Sequence, residues 1–120
     1  MNRSEQAFEA TVTEVGAARH FAEAALVNWE VVPDDIVLVV SELASNAVRH
    51  AGSDFKVSLE HLDGAVVVGV TDANTQMPET RTPRSGNGRG LLIVDRVART
   101  WGVWTRPDGG KTVWAEVPIG

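Results

Sequence analysis

The sequence contains no cysteine, so disulfides, thiolate zinc sites and cysteine nucleophiles are excluded from its chemistry. It also has no run of eighteen apolar residues and no basic stretch that is followed by an apolar segment. The chain therefore shows neither the pattern of a membrane span nor that of a secretory signal. We expect a cytoplasmic protein that does not bind a membrane.

Basic residues are in the minority, with eleven Lys and Arg against sixteen Asp and Glu and a formal net charge of −5. This charge would repel nucleic acid, which disfavours direct binding to DNA or RNA. The three histidines, His20, His50 and His61, are scattered, and no two have the close spacing of a zinc-binding helix. A transition-metal site built from protein side chains alone is therefore not expected.

With 120 residues, of which 43% are hydrophobic, the chain can fold as one domain over residues 1–120. The spacing of apolar residues predicts five strands and three helices. The first predicted elements are a strand at 6–12, a helix that contains Val15 to Trp29 and ends before Pro33, and a helix from Pro33 to Ala51. They are followed by strands at 55–60 and 65–70, a loop from Ala73 to Asn87, a helix from Leu91 to Trp101, and strands at 103–105 and 111–117. Hairpin-connected strands with helices gathered on one face predict a two-layer α+β sandwich.

Inside the second helix, Glu42, Asn46 and His50 recur every four residues among apolar positions. Such a series lies on one side of a helix, so a carboxylate, an amide and an imidazole can face one ligand. On its own, the stripe is more often a solvated helix face. The apolar residues beside it predict that it lies at the rim of the core.

Two further features follow along the chain. Asp72 comes directly after an apolar strand, where a carboxylate is most often only a turn former. Gly86, Gly88 and Gly90 precede the third helix, whose first N–H groups and dipole suit a phosphate. A flexible hinge explains the glycines equally well.

Two better-known phosphate motifs are excluded by spacing. A G-x-G-x-x-G pattern needs glycine at position 91 or 93, where the sequence has Leu91 and Ile93. Gly110-Lys111-Thr112 is similar to the end of a P-loop, but the first glycine of that motif is missing and the segment precedes a strand.

Four motifs nevertheless occur in a fixed order, namely Glu42-x-x-x-Asn46, Asp72-x-Asn74, Gly86-x-Gly88-x-Gly90 and Gly110-Lys111-Thr112. This order resembles the GHKL ATPase superfamily, the ATP-binding fold shared by gyrase, Hsp90 and sensor histidine kinases. Within it, Ser-Glu-Leu and Asn-Ala-Val-Arg-His in a short chain resemble the anti-sigma-factor serine/threonine kinases of Gram-positive bacteria. The resemblance implies the Bergerat fold, with a mixed, mostly antiparallel sheet of about five strands, three helices on one face and an ATP lid.

The resemblance also assigns roles to the matching residues, with ATP and Mg²⁺ as cofactors. Glu42 matches the general base for the attacking hydroxyl, Asn46 the magnesium ligand, and Asp72 the carboxylate that accepts a hydrogen bond from the adenine amine. Further nucleotide contacts are implied for His50, Asn74, Arg84, Gly86, Gly88, Arg89, Gly90, Leu91 and Thr112.

Three of these details stay open. Arg84 resembles a lid arginine that clamps the γ-phosphate, but a solvated loop cation is an equal alternative. Asn74 stands where the family usually has glycine, and Lys111 stands where many relatives carry threonine.

The implied activity is that of an anti-sigma factor, which binds a sigma factor and phosphorylates a small anti-anti-sigma protein of the STAS type. Arg19 matches a family position at the partner surface, although a helix arginine is most often a solvated cation. Relatives form homodimers, which the resemblance extends to this chain. The alternatives are a non-catalytic regulator that sequesters a sigma factor under nucleotide control, and the excised ATP-binding domain of a larger signalling protein.

Overall fold

In a computed structural model of the chain, the described residues are 2–51, 53–73, 86–107 and 109–119, and only the backbone is described for residues 50, 51 and 86–90. Within these ranges the chain forms three helices and five strands. In chain order they are β1 (Arg3–Phe8), α1 (Val12–Asn28), α2 (Asp34–Ala51), β2 (Phe55–Leu62), β3 (Ala65–Asp72), α3 (Gly86–Val97), β4 (Thr100–Thr105) and β5 (Lys111–Pro118). None of the described helices has both the length and the apolar character needed to cross a membrane.

The five strands form one sheet in the order β1-β2-β3-β5-β4, and every neighbouring pair is antiparallel. β2 and β3 are joined by a tight turn in which Gly64 has a φ of +79°, a conformation that favours glycine. β5 is the last strand in sequence, yet it lies between β3 and β4. The helices pack on one face of this sheet around a single core, so the predicted two-layer α+β sandwich is confirmed.

The core lies between the sheet and the helices. Alternate strand residues face the helices, which is why Val66, Val68 and Val70 of β3 are at most 1% exposed, whereas Val67 on the other face is half-buried. α2 packs against α1, α3, β2, β3 and β5, so it is the central helix of its layer. The position of α2 is therefore fixed by packing against five neighbouring elements.

The second helix begins where the sequence predicts. The N–H of Val37 donates to the carbonyl of Pro33 at 2.8 Å, and Asp34 and Asp35 place negative charge at the positive end of the helix dipole. The apolar face of α2 is confirmed by its buried side chains, which are Ile36, Val39, Val40, Leu43, Ala44 and Ala47.

The first strand lies earlier than predicted. β1 ends at Phe8 instead of residue 12, and the carbonyl of Thr11 accepts the N–H of Glu14 at 3.0 Å at the start of α1. The apparent alternation ran into Val12, which is 81% exposed in the first turn of α1 and reaches no core. The polar start of β1 gave no apolar signal because β1 is an edge strand, where charged side chains are common.

The third helix ends earlier than predicted. α3 stops at Val97, and Trp101 belongs to β4, which begins at Thr100 instead of residue 103. Trp101 still contacts α3, because its indole Nε1 donates to Asp95 Oδ1 at 3.0 Å. Trp101 stands at a helical spacing from the apolar residues of α3, so the sequence pattern predicted a helix that extended to it, although it lies in the next strand.

Two leucines of α2 test the packing of this helix, because Leu43 is 2% exposed and Leu38 is 39% exposed. We expect Leu43→Ala to lower the free energy of unfolding by about 2–5 kcal/mol, since it leaves a cavity in the core. The matched change Leu38→Ala should cost less than about 1 kcal/mol. Urea unfolding followed by circular dichroism measures both values, and equal losses would contradict the described orientation of α2.

Candidate functional site

α2 carries two of the predicted site residues one turn apart. Asn46 is 8% exposed and Glu42 is half-buried, so both lie at the rim of the core, as the sequence predicts. Their spacing of four residues places them on the same side of the helix. His50 lies one turn further along α2, and its side chain is outside the described part of the structure.

The C-terminal half of α2 lies near the end of β3. At the opposite end of the sheet, a cleft of about 960 Å³ brings together the first turn of α2, the β2–β3 turn and the end of β5. α2 has 18 residues and β3 has 8, which correspond to similar lengths of about 27 and 26 Å. Since α2 packs along β3, Asn46 lies toward the end where β3 stops and β5 begins, and Glu42 lies one turn earlier, near the middle of α2.

Asp72 and Lys111 form a buried ion pair at this end of the sheet. Lys111 Nζ lies 3.0 Å from Asp72 Oδ1 and 3.2 Å from Oδ2, and the two side chains are 4% and 3% exposed. The two residues are register partners in the β3–β5 pairing, and they share the helix-facing side with Val70 and Val113. The sequence assigns Lys111 no role, because only the strand register shows that it meets Asp72.

Gly110 lets β5 approach the end of β3 closely. A Cβ at Gly110 would overlap the carbonyl oxygen of Asp72, so a larger residue would push the two strands apart. The preceding turn is closed by the N–H of Arg106, which donates to the Gly110 carbonyl at 2.8 Å, and by Gly109 with a φ of +97°. The segment from Gly110 therefore starts a strand, in agreement with the exclusion of a P-loop.

Thr112 points to the other face of the sheet. Its hydroxyl lies 2.7 Å from the hydroxyl of Thr71, its register partner, because successive residues of a strand face opposite sides. The described partner of the Thr112 hydroxyl is thus Thr71, on the face of the sheet opposite to that of Asp72. A nucleotide contact of Thr112 stays a prediction.

Buried polar groups are concentrated near this end of the domain. In the part of the chain that the structure describes, the buried polar residues are Asn46, Asp72, Lys111 and Thr112. They lie on the second half of α2 or where β3 and β5 meet. Burying polar groups costs free energy, and departures from an apolar interior are expected at functional sites.

The remaining predicted residues are only partly visible. α3 begins at Gly86, so the glycine cluster lies in its first turns instead of before it. Leu91 is 1% exposed with its side chain in the core, and it lies beyond the first four residues of α3, whose N–H groups have no partner within the helix. A nucleotide contact of Leu91 stays a prediction. The side chain of Arg89, all of Asn74 and Arg84, and most of the predicted lid lie outside the described residues.

Arg19 belongs to a different surface. It is exposed on α1 and lines a groove of about 590 Å³ between α1 and α2, together with Arg49, Thr13, Ser41 and Ser45. Two guanidinium groups and three hydroxyls line this groove beside the apolar side chains of Val12, Val15 and Val48. It suits acidic groups of a partner.

Residues 31–120 match the family described as histidine kinase-, DNA gyrase B-, and HSP90-like ATPase. Among solved structures, the chain is similar to the RsbU and RsbW domains of a Mycobacterium tuberculosis protein, with a TM-score of 0.76 and 20% identity over 99% of this chain and 33% of that one. It is also similar to the histidine kinase AdeS of Acinetobacter baumannii, with a TM-score of 0.56 and 13% identity over 100% of this chain and 70% of that one. No match was found among curated proteins.

At these identities the two structures show the fold alone, and the chain spans about a third of the first of them. The family match says more about the site, because it covers α2, β3, α3 and β5. These elements carry Glu42, Asn46, Asp72 and the glycine cluster. The chain therefore belongs to the family of histidine kinase-, DNA gyrase B- and HSP90-like ATPases.

Proposed function

We propose that this chain is an ATP- and Mg²⁺-dependent protein serine/threonine kinase that acts as an anti-sigma factor and phosphorylates a small STAS-type antagonist. The observation that carries the proposal is the concentration of buried polar residues near one end of the sheet, in a member of an ATPase family. Asn46 and Asp72 are among them, and the resemblance gives each a separate part in binding the nucleotide.

ATP fits the chemistry of the residues present. The first turns of α3 supply N–H groups and a positive dipole end for phosphates. The amide oxygen of Asn46 is a hard ligand suited to Mg²⁺, whose remaining positions phosphate and water oxygens would fill. Asp72 offers a carboxylate to an exocyclic amine. When bound, Mg²⁺ neutralises the negative charge that develops on the phosphates.

Glu42 takes the role of general base. Its half-buried carboxylate lies one turn before Asn46 and accepts the proton of a serine or threonine hydroxyl. The hydroxyl oxygen bonds to the γ-phosphorus, the bond between that phosphorus and the bridging oxygen breaks, and ADP leaves. The protein contributes mainly positioning and charge stabilisation to this transfer.

The assignment to sigma-factor control rests on sequence motifs and one structural likeness. Ser-Glu-Leu at 41–43 and Asn-Ala-Val-Arg-His at 46–50 resemble the anti-sigma-factor kinases. The similar Mycobacterium tuberculosis structure contains an RsbW domain, and at 20% identity it supports the fold in which these motifs stand.

Asn46 tests the metal assignment. We expect ATP to bind in the presence of Mg²⁺, and Asn46→Ala to weaken the Mg²⁺-dependent part of the affinity by at least about tenfold, because a ligand of the ion is lost. Calorimetric titration with and without Mg²⁺ measures this effect. Ser45→Ala is the matched control, since Ser45 lines the α1–α2 groove instead.

The two possible failures are distinct. Full Mg²⁺-dependent affinity in Asn46→Ala would contradict the metal assignment alone. No binding of ATP to the unmodified protein at millimolar nucleotide would contradict the proposed function as a whole.

Glu42 tests the catalytic assignment. We expect Glu42→Gln to slow phosphotransfer to a purified STAS-domain antagonist by about 10²–10⁴-fold while ATP still binds, because the amide cannot accept the hydroxyl proton. Labelled ATP and the matched change Glu23→Gln, at an exposed position of α1, provide the measurement and the control. Phosphotransfer at the original rate would remove Glu42 from this role.

The groove at Arg19 favours a second function, the sequestration of a sigma factor without catalysis. Arg19 and Arg49 place two positive groups in one groove that is separate from Asp72 and Lys111. A partner held there would depend on charge, and nucleotide would act by shaping the neighbouring α2.

We expect Arg19→Ala to weaken capture of the sigma factor or the STAS antagonist by at least about tenfold and to leave ATP affinity unchanged, because the groove loses a charged contact. Interferometry with the purified partners measures this loss. Arg99→Ala is the control, since Arg99 pairs with Glu116 on the sheet at 2.9 Å. Unchanged capture by Arg19→Ala would count against this surface.

A further inference from the structure

Lys111 is one of only two lysines in the chain, and its ammonium is buried. Replacing a buried ion pair by apolar residues of similar volume is often neutral or stabilising, so fold stability does not by itself explain a lysine at this position. An apolar side chain at position 111 could face the helices in the same way as Val113 does.

The ion pair presents two complementary groups side by side. Asp72 is an acceptor of hydrogen bonds and Lys111 is a donor, and the facing atoms lie 3.0 and 3.2 Å apart. An ammonium can turn its N–H groups about the Cε–Nζ bond and share them between the carboxylate and a ligand. Any group that reaches the carboxylate of Asp72 thus comes within reach of Lys111 as well.

The edge of adenine has the matching pattern. On its Watson–Crick edge the exocyclic amine donates hydrogen bonds, and the adjacent ring nitrogen N1 accepts one. We propose that Lys111 donates a hydrogen bond to N1 of the adenine whose exocyclic amine is bound by Asp72, so that the two side chains read the base together. This proposal rests on the proposed function, in which the site binds ATP through Asp72.

The same arrangement rejects guanine. In the same pose, guanine turns a carbonyl oxygen toward the carboxylate of Asp72 and an N–H toward the ammonium of Lys111. Both contacts are unfavourable, because an acceptor meets an acceptor and a donor meets a donor. Lys111 therefore adds to base selectivity and does more than neutralise Asp72.

An atom-level comparison tests the contact with N1. The unmodified protein is titrated by calorimetry with ATP and with 1-deaza-ATP, which has a C–H group in place of N1 and keeps the amine. We expect 1-deaza-ATP to bind at least about tenfold more weakly, because a hydrogen bond to a charged group is lost. In Lys111→Met the two nucleotides should bind within about twofold of each other, while the control Lys56→Met, at the other and exposed lysine, should keep the full difference.

A second measurement covers the case in which Lys111→Met does not fold, since that change leaves Asp72 buried without its charged partner. With only two lysines, the ¹⁵N signals of the side-chain ammonium groups can be told apart in the unmodified protein. ATP should shift the Lys111 signal, and 1-deaza-ATP should shift it by less than half as much.

The outcomes separate the two proposals. Absence of ATP binding to the unmodified protein contradicts the proposed function. ATP binding with equal affinity for 1-deaza-ATP, or an equal shift of the Lys111 signal by both nucleotides, overturns the role of Lys111 and leaves ATP binding intact. A difference between the nucleotides that persists in Lys111→Met assigns N1 to another donor and also overturns it.

Discussion

The antiparallel pairing of β3 with β5 is the constraint on which the rest of the site depends. These strands are not neighbours in sequence, since α3 and β4 lie between them along the chain. Their register sets Asp72 opposite Lys111 on the helix-facing side and Thr71 opposite Thr112 on the other side. A shift of β5 by one residue would turn Lys111 and Thr112 to the opposite faces of the sheet and separate both pairs. The close approach at Gly110 fixes the register at the point where the polar pairs stand.

Packing and electrostatics support each other around this pairing. The ammonium and carboxylate are tolerable in the interior because each satisfies the other at hydrogen-bond distance. α2 lies across β3 and β5 and is held by both layers of the fold, so the side chains of Glu42 and Asn46 start from a fixed backbone. A fixed backbone of this kind would serve the proposed phosphoryl transfer, in which a protein contributes geometry and charge more than covalent chemistry.

The sequence correctly predicted those features of the structure that depend on a single helix or strand. The start of α2, its apolar face and the position of Asn46 at the rim of the core follow from spacing within a single helix, and the structure confirms them. The predicted ends of β1 and α3 were wrong. Val12 continued the alternation of a strand and Trp101 the spacing of a helix, but each belongs to the next element of the fold. Lys111 could not be recognised beside Asp72, since a contact between distant strands depends on register and leaves no periodic signal. The roles of Glu42, Asn46 and Asp72 came from a family resemblance, and periodicity alone would have left them as surface or turn residues.

The position of β5 has a consequence for the synthesis of the domain. β5 is the last of the five strands to leave the ribosome, yet β3 and β4 are joined only through it. Until β5 is present, β4 has no sheet partner among the described strands, and Asp72 has no ammonium opposite it. The first three strands and the first two helices can associate earlier, because their contacts lie within the first 72 residues. The strand that completes the sheet is therefore also the one that brings Lys111 opposite Asp72.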